Sequence, residues 1–393
     1  MSLTITQNPA TASLAQSPMV FTLSESTAVI NSSSFQYYAD LYYWTGSVSN
    51  SGSLSKYTLV KYPNASGVGI FDVSKIMNST LTDLRQTNPS NVEFYKINGY
   101  WRYASGSSFF TSSKVGSATF KALDGYSVFQ EPINGTIKDK SPYWPMMSDG
   151  PVTQSFFVEN TGTMGVYTGI YDAIQSVDSI QYTSNLGSAT ITVSSSNTTS
   201  TQVQQVPLFP TSTGFPFSSI GLDWYELRAY GTIAPLTAGP LGKPLRFEFA
   251  CQQKYPNVRI KWKNRYGQFD YFNFYMVNKK SFKTEKRTYQ PQIGTWDGPS
   301  LTYQNYDSQN LNYLSDSSQT MSVNTFWIPE AYNDILKQLM VSDEIYYVTT
   351  ESTDILTPIT INTDTITFKT GVVDGLIQYA FDFRYGQNYK LII

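Results

Sequence analysis

The chain has 393 residues, enough for two or three domains with ample core. Only 14% are charged and 15% are aromatic, with 30 Tyr, and the net charge of −2 gives no global attraction to nucleic acid or to a membrane surface. With 0 His, Ser–His–Asp and Cys–His sites, HExxH metal sites and His-containing zinc sites are excluded, leaving carboxylate chemistry, Lys chemistry or oxygen-ligand metals.

The N-terminal segment MSLTITQNPATASLAQSP has no basic region and no apolar core, so the expectation is a chain made and folded in a cytoplasm. No apolar run reaches the roughly 18 to 20 residues that span a bilayer. Five N-x-S/T sequons, at Asn31, Asn64, Asn78, Asn134 and Asn197, follow from Asn/Ser/Thr richness. From there strand patterns dominate. Segments 18–23, 35–44 and 56–61 read as strands, the second rich in Tyr. Ile70, Val73, Ile76 and Met77 have helical spacing, which predicts one short helix over 74–81. Segments 93–103 and 118–129 read as strands, the latter interrupted by Asp124-Gly125. Turn signals at this density predict a β-sandwich.

Residues 131–151 carry Pro132, Pro142, Pro145, Pro151 and Asn134-Gly135, and mark the expected domain boundary. Strands are expected at 154–158, 180–183, 189–193 and 224–230, separated by polar stretches such as SSSNTTSTQVQQ. The run 244–250 ends near Cys251, the single cysteine, which reads as a buried structural thiol. Strands at 258–263 and 269–276 precede a polar loop over about 289–320. Pro329 suits a first helical turn, and Tyr332, Ile335, Leu336, Leu339 and Met340 form an apolar stripe on a helix over 329–341. Strands at 344–348, 359–361, 365–369 and 376–385 complete the set. In the last, Ile377, Tyr379, Phe381, Phe383 and Tyr385 alternate with Gln378, Asp382 and Arg384, after an Asp374-Gly375 turn. The expected architecture is mainly β: a sandwich-like domain over 1–140, a β-rich middle region over 141–235, and a C-terminal β-domain over 236–393.

Charge is unevenly placed. Between Lys254 and Arg287 stand ten Lys/Arg and two Asp/Glu, a net of +8, which leaves about −10 elsewhere. In 258–263 the apolar Val258, Ile260 and Trp262 alternate with Arg259, Lys261 and Lys263, so one strand face is core and the other cationic. Three readings of this zone stand: phosphate contact, docking onto an acidic patch of a neighbouring copy, or a solvated sheet face. Docking would use Arg259, Lys261, Lys263, Arg265, Lys279, Lys280, Lys283, Lys286 and Arg287. Among carboxylates near aromatic residues, Asp223, Glu226, Asp270 and Asp297 are candidates for glycoside hydrolysis. Residues three apart on a strand face opposite ways, so Asp223 and Glu226 do not pair simply. No phosphate loop, dinucleotide fingerprint or EF-hand loop is present. The expectation is therefore a protein without catalytic residues, cofactor or metal.

Two regions resemble a group of structural proteins of tailed bacteriophages, many from environmental genomes. The first comprises NPATASLAQSPMVFTLSES, FQYYADLYYW and KYTLVKYPNASGVGIFDVSKIMNSTL. The second comprises VRIKWKNRYGQFDYFNF, FWIPEAYNDILKQLMVSDEIYYV and PITINTDTITFKTGVVDGLIQYAFDFRYG. Together they cover about half the chain, and the order of all the segments agrees; residues 131–243 match poorly. The resemblance implies a non-enzymatic virion component of the tail or baseplate, partnered by its own copies and other virion proteins, and supplies no catalytic residues. Two alternatives stand beside it: a tail protein that binds or depolymerises host-surface glycan, and a capsid or capsid-decoration protein. Nucleic acid is the less favoured partner, and no membrane insertion is expected.

Overall fold

The computed structural model describes residues 3–392 except 11, 28–29, 31, 46–53, 86–91, 127–152, 158–159, 168–174, 194–202, 234–238, 251–253, 293, 350–355, 369–375 and 388. The expected boundary at 131–151, Cys251, most of the SSSNTTSTQVQQ stretch, the Asp374-Gly375 turn and the sequons at Asn31, Asn134 and Asn197 lie outside the described residues. The protein is mainly β and sandwich-like. It divides into two compact units, Met1–Ala250 with Lys263–Asp270, and Cys251–Trp262 with Tyr271–Ile393.

The first unit begins with β1 (Thr4–Gln7), β2 (Ala12–Leu14), β3 (Val20–Ser24), β4 (Gln36–Thr45), β5 (Ser55–Lys61) and β6 (Val68–Asp72). Helix α1 (Ser74–Arg85), β7 (Glu93–Ser105), β8 (Ser108–Thr111), β9 (Val115–Gly116) and β10 (Phe120–Leu123) follow. Strands β1-β3-β6 form one sheet and β2-β10-β7-β4-β5 a second, with β8 and β9 also paired to β7. Phe21, Leu23 and Phe71 from the first sheet share a core with Tyr37, Ala39, Leu41, Tyr95 and Ile97 from the second. Val73, Met77 and Leu81, four residues apart, add one face of α1 to it. Ile70, expected on that helical face, instead lies in β6, where alternation turns it outward and leaves it 48% exposed. The sheets approach closely because Gly69 and Gly99 carry no side chain: a Cβ would stand 2.7 Å from the Tyr37 ring at Gly69 and 2.6 Å from Leu23 at Gly99.

The rest of this unit holds β11 (Thr153–Phe156), β12 (Thr163–Tyr167), β13 (Gln175–Ser184), β14 (Gly187–Thr192), β15 (Val203–Pro207), β16 (Trp224–Ile233) and β17 (Gly239–Phe249). They form the sheet β11-β17-β16-β13-β14, with β11 parallel to β17, and the pair β12-β15. Phe156, Phe209, Tyr225 and Phe247 pack ring against ring. The buried Tyr182 and Tyr225 hydroxyls donate to the carbonyls of Pro207 (2.7 Å) and Leu208 (2.6 Å), satisfying both phenols inside the core. The domain limit expected at 235/236 falls between β16 and β17, which pair in this sheet, so 239–249 pack with the middle strands.

The second unit, which leaves Lys263, Phe269 and Asp270 to the first, runs through β18 (Val258–Lys263), β19 (Phe269–Phe274), β20 (Lys279–Tyr289), β21 (Thr295–Trp296), β22 (Leu301–Thr302), β23 (Leu311–Asn324) and β24 (Ile328–Pro329). A 3-10 turn (Glu330–Tyr332), α2 (Asn333–Val341), β25 (Ile345–Val348), β26 (Leu356–Ile361), β27 (Leu376–Ile377), β28 (Ala380–Tyr385) and β29 (Tyr389–Ile392) complete it. Its main sheet has the order β19-β18-β25-β26-β28-β23-β20, with β29 alongside β23. Ile335, Leu336 and Leu339 of α2 pack with Val258, Ile260, Trp262, Phe274, Met321, Phe381 and Phe383 of the sheet. The expected stripes of α2 and of 377–385 are thus both core. Two expectations fail here. Residues 365–368 form no strand, although Ile366 and Phe368 pack on the core. The polar loop expected over 289–320 instead contains the short pair β21-β22 and most of the 14-residue strand β23.

Candidate assembly surface

The turn between β18 and β19 is built by Asn264, whose Oδ1 accepts the N–H groups of Tyr266 (2.9 Å) and Gln268 (3.1 Å). Gly267 takes φ +74°, the left-handed conformation that this turn needs. Residues Lys263–Asp270 belong to the first unit, where they are tightly held. The Tyr126 N–H donates to the Arg265 carbonyl at 2.8 Å, and Gln205 Nε2 donates to Gln268 Oε1 at 2.9 Å.

This arrangement splits the nine predicted cations into two sets. Arg259, Lys263 and Arg265 are 1%, 5% and 5% exposed, so the cationic face of β18 is a buried face and not a docking surface. The physical reason is topological: β18 is an inner strand, flanked by β19 and β25, and both of its faces are covered. Buried cations need compensation. The Arg259 guanidinium sits 4.5 Å over the Tyr271 ring, Lys263 Nζ stands 3.9 Å from Asp124 Oδ2, and Arg265 lies on Tyr266 and donates to its hydroxyl. Lys261 is partly exposed and lies 5.4 Å over Tyr271.

Lys279, Lys280, Lys283, Lys286 and Arg287 all stand on β20, every residue of which is exposed. Among the described residues it is the edge strand of the sheet and pairs with β23 alone, from Lys279 opposite Ser322 to Tyr289 opposite Leu311. Five cations against Glu285 give this edge a net of +4. Lys280 reaches back over Tyr347 at 5.2 Å, and Lys283 pairs with Glu285 at 2.7 Å. Beyond the end of this ribbon the chain forms β21-β22. Along the arm Phe282, Tyr289, Trp296, Leu301, Tyr303 and Tyr306 are 59%, 48%, 64%, 50%, 66% and 84% exposed. Five of these six are aromatic, and the sequence does not reveal the six as a group, because a strand without a buried face has no apolar period to read.

A second aromatic surface lies on the outer face of β4 and β7. Tyr38 and Tyr100 stack with centroids 5.0 Å apart, and Lys114 lies 4.9 Å over Tyr100. Two residues further along β4 the carboxylate of Asp40 is buried, with Lys114 at 2.7 Å, Thr58 at 2.8 Å and Lys56 at 3.1 Å. Burial works to raise its pKa, but the hydrogen bonds from Lys114, Thr58 and Lys56 prevail and hold it below the usual carboxylate range.

The carboxylate candidates stand on separate elements or loops. Asp223 precedes β16 and accepts from Asn185, Glu226 lies within β16, Asp270 is buried in β19, and Asp297 is exposed beyond β21. Among the described residues, no cluster of three or more Cys, Asp or Glu side chains could hold a metal ion. Likewise no helix among them is long and apolar enough to cross a membrane.

Compared with known proteins, the chain matches no family model and no curated sequence. Among solved structures it is similar to a Ca2+-stabilised adhesin with which an Antarctic bacterium binds ice. That match has 10% identity and a TM-score of 0.21 over 81% of this chain and 68% of that one. A likeness at this level carries no argument about function.

Proposed function

We propose that this chain is a non-enzymatic structural subunit of a tailed-phage virion, of the tail or baseplate, and that it works as a symmetric homo-oligomer. The exposed arm carries the assembly part of this reading. An exposed edge strand invites pairing with another chain, and proteins that remain monomeric blunt such edges or keep them short. This one carries five cations, which oppose pairing with its own copy, but it is 11 residues long and continues into a series of exposed rings. Large apolar patches rimmed by charge mark interaction surfaces. The virion part rests on the ordered sequence segments that resemble phage structural proteins.

Immunolabelling of purified particles under the electron microscope tests the virion part. Label at the tail or its tip is the expected result. Label over the head would transfer the chain to the capsid-decoration alternative, and absence from particles would overturn the reading.

A second reading, attachment to host-surface glycan, is favoured by the Tyr38–Tyr100 platform beside the exposed Lys56 and Lys114, since sugars stack on rings and hydrogen-bond to adjacent charged groups. A glycan array probed with wild type and Tyr100→Ala tests it; the variant should lose a signal that the wild type shows.

A further inference from the structure

A two-stranded ribbon is marginal in water unless a third strand or an apolar surface supports it. Opposite Thr284–Arg287 the partner strand β23 is itself flanked by β29, so the sheet has three strands there, whereas the end at Thr288–Tyr289 and the β21-β22 tip are two-stranded. Among the described residues β20 has no strand on its outer side, and none of its residues is buried. The outer edge of β20 and the exposed rings of the tip are therefore open to a partner. Pairing β20 with the β20 of another copy would bring two edges of net +4 together, and like charges opposite one another are destabilising. The receiving surface must be acidic and partly apolar.

The second unit carries such a surface around α2. Residues 326–344 contain Glu330, Asp334, Asp343 and Glu344 against Lys337, a net of −3. The outward stripe of the helix, Asp334, Lys337 and Val341, is exposed, as are Glu330 and Asp343. Beside its start Phe326 and Trp327 are 44% and 52% exposed, and Val341 at its end is 67% exposed. Its opposite face, Ile335, Leu336 and Leu339, is core, which fixes this stripe outward; on it Asp334 pairs with Lys337 at 3.0 Å, and the acidic excess comes from the flanking Glu330, Asp343 and Glu344.

Resting on the reading of the chain as a homo-oligomer, we propose that the arm of one copy docks on the α2 face of the next. Lys283, Lys286 and Arg287 face Glu330, Asp334 and Asp343 there, and the exposed rings of the arm cover Trp327 and Val341. The two patches differ, so the contact is head-to-tail and closes as a ring when the rotation between copies permits.

Three variants test this by light scattering across a concentration series: K283E/K286E/R287E on the arm, E330K/D334K/D343K on the helix, and both sets in one chain. All six side chains are exposed, and circular dichroism checks that each variant is folded. Each single set should raise the assembly midpoint more than about tenfold, as like-charge contacts do, and the combined set should bring it back. Loss of assembly in the arm set with an unaffected helix set would overturn the α2 partner and leave the oligomer standing. A wild-type chain that stays monomeric throughout would overturn both. Tight binding of single-stranded DNA that the arm set abolishes, with assembly unchanged in every variant, would show that the arm serves nucleic acid instead.

Discussion

Glu93 is the side chain whose charge the fold controls most directly. It is 2% exposed, Thr80 Oγ1 of α1 donates to it at 2.5 Å, and burial pushes its pKa up to about 7, with the Thr80 bond working in the other direction. In the unfolded chain it would titrate near 4.5. A carboxyl raised in this way contributes fully below its unfolded pKa, and that contribution is lost as the pH rises through the folded one. The loss amounts to about 3 kcal/mol between pH 4.5 and 8. With 0 His in the chain, few other groups titrate in this window. Glu93→Gln should flatten the pH dependence, so that the variant is the more stable form at pH 8 and close to wild type at pH 5; urea midpoints at the two pH values would show it. At Gly69 the question is space. The Tyr37 ring that a Cβ would strike is pinned, because its hydroxyl donates to the Gly67 carbonyl at 2.8 Å and accepts the Glu25 N–H at 3.0 Å. Gly69→Ala should cost about 1–3 kcal/mol through overpacking, read from denaturant unfolding. Neither residue announced itself in the sequence, where Glu93 is one acidic residue in a strand and Gly69 one glycine in a Gly-rich run.

At the scale of elements, legibility followed burial on one face. Helix α2 was readable from Tyr332, Ile335, Leu336, Leu339 and Met340 because a single stripe meets the sheet. Leu339 is fully buried, and Leu339→Ala should destabilise the second unit by about 2–5 kcal/mol, measured as a lowered thermal midpoint with the helix still present in the folded state. The alternation in 377–385 was readable for the same reason. Strand β18 was only half readable. Its apolar face behaved as expected, with Val258, Ile260 and Trp262 at 2%, 0% and 0% exposure. Its cationic face looked solvated because Arg and Lys usually are, and what covers it, Tyr271 and the residues around Asp124, comes from other segments of the chain. Charge reversal of Lys263 would set a carboxylate against Asp124, so it would report on folding rather than on assembly.

For the whole molecule, the arm is separable from the cores. Tyr289 lies opposite Leu311 in the ribbon, so residues 290–310 can be replaced by a two-residue Asn-Gly turn that matches the twist of a hairpin. No described residue of the excised segment belongs to the core of the second unit. The thermal midpoint should therefore stay within a few degrees of wild type, while assembly measured by light scattering should weaken. An unaltered oligomer would mean that the rings of the tip play no part in it.

The sequence by itself determined the fold class, the positions of most strands, the buried stripe of α2 and the exclusion of histidine chemistry, because periodicity and composition are local quantities. It also located the basic zone. Only the tertiary structure decided what that zone does. Sheet order made β18 an inner strand and β20 an edge, so cations alike in sequence became core on one strand and surface on the other. Neighbourhood in a sheet is set by pairings between distant segments, and no local pattern records it.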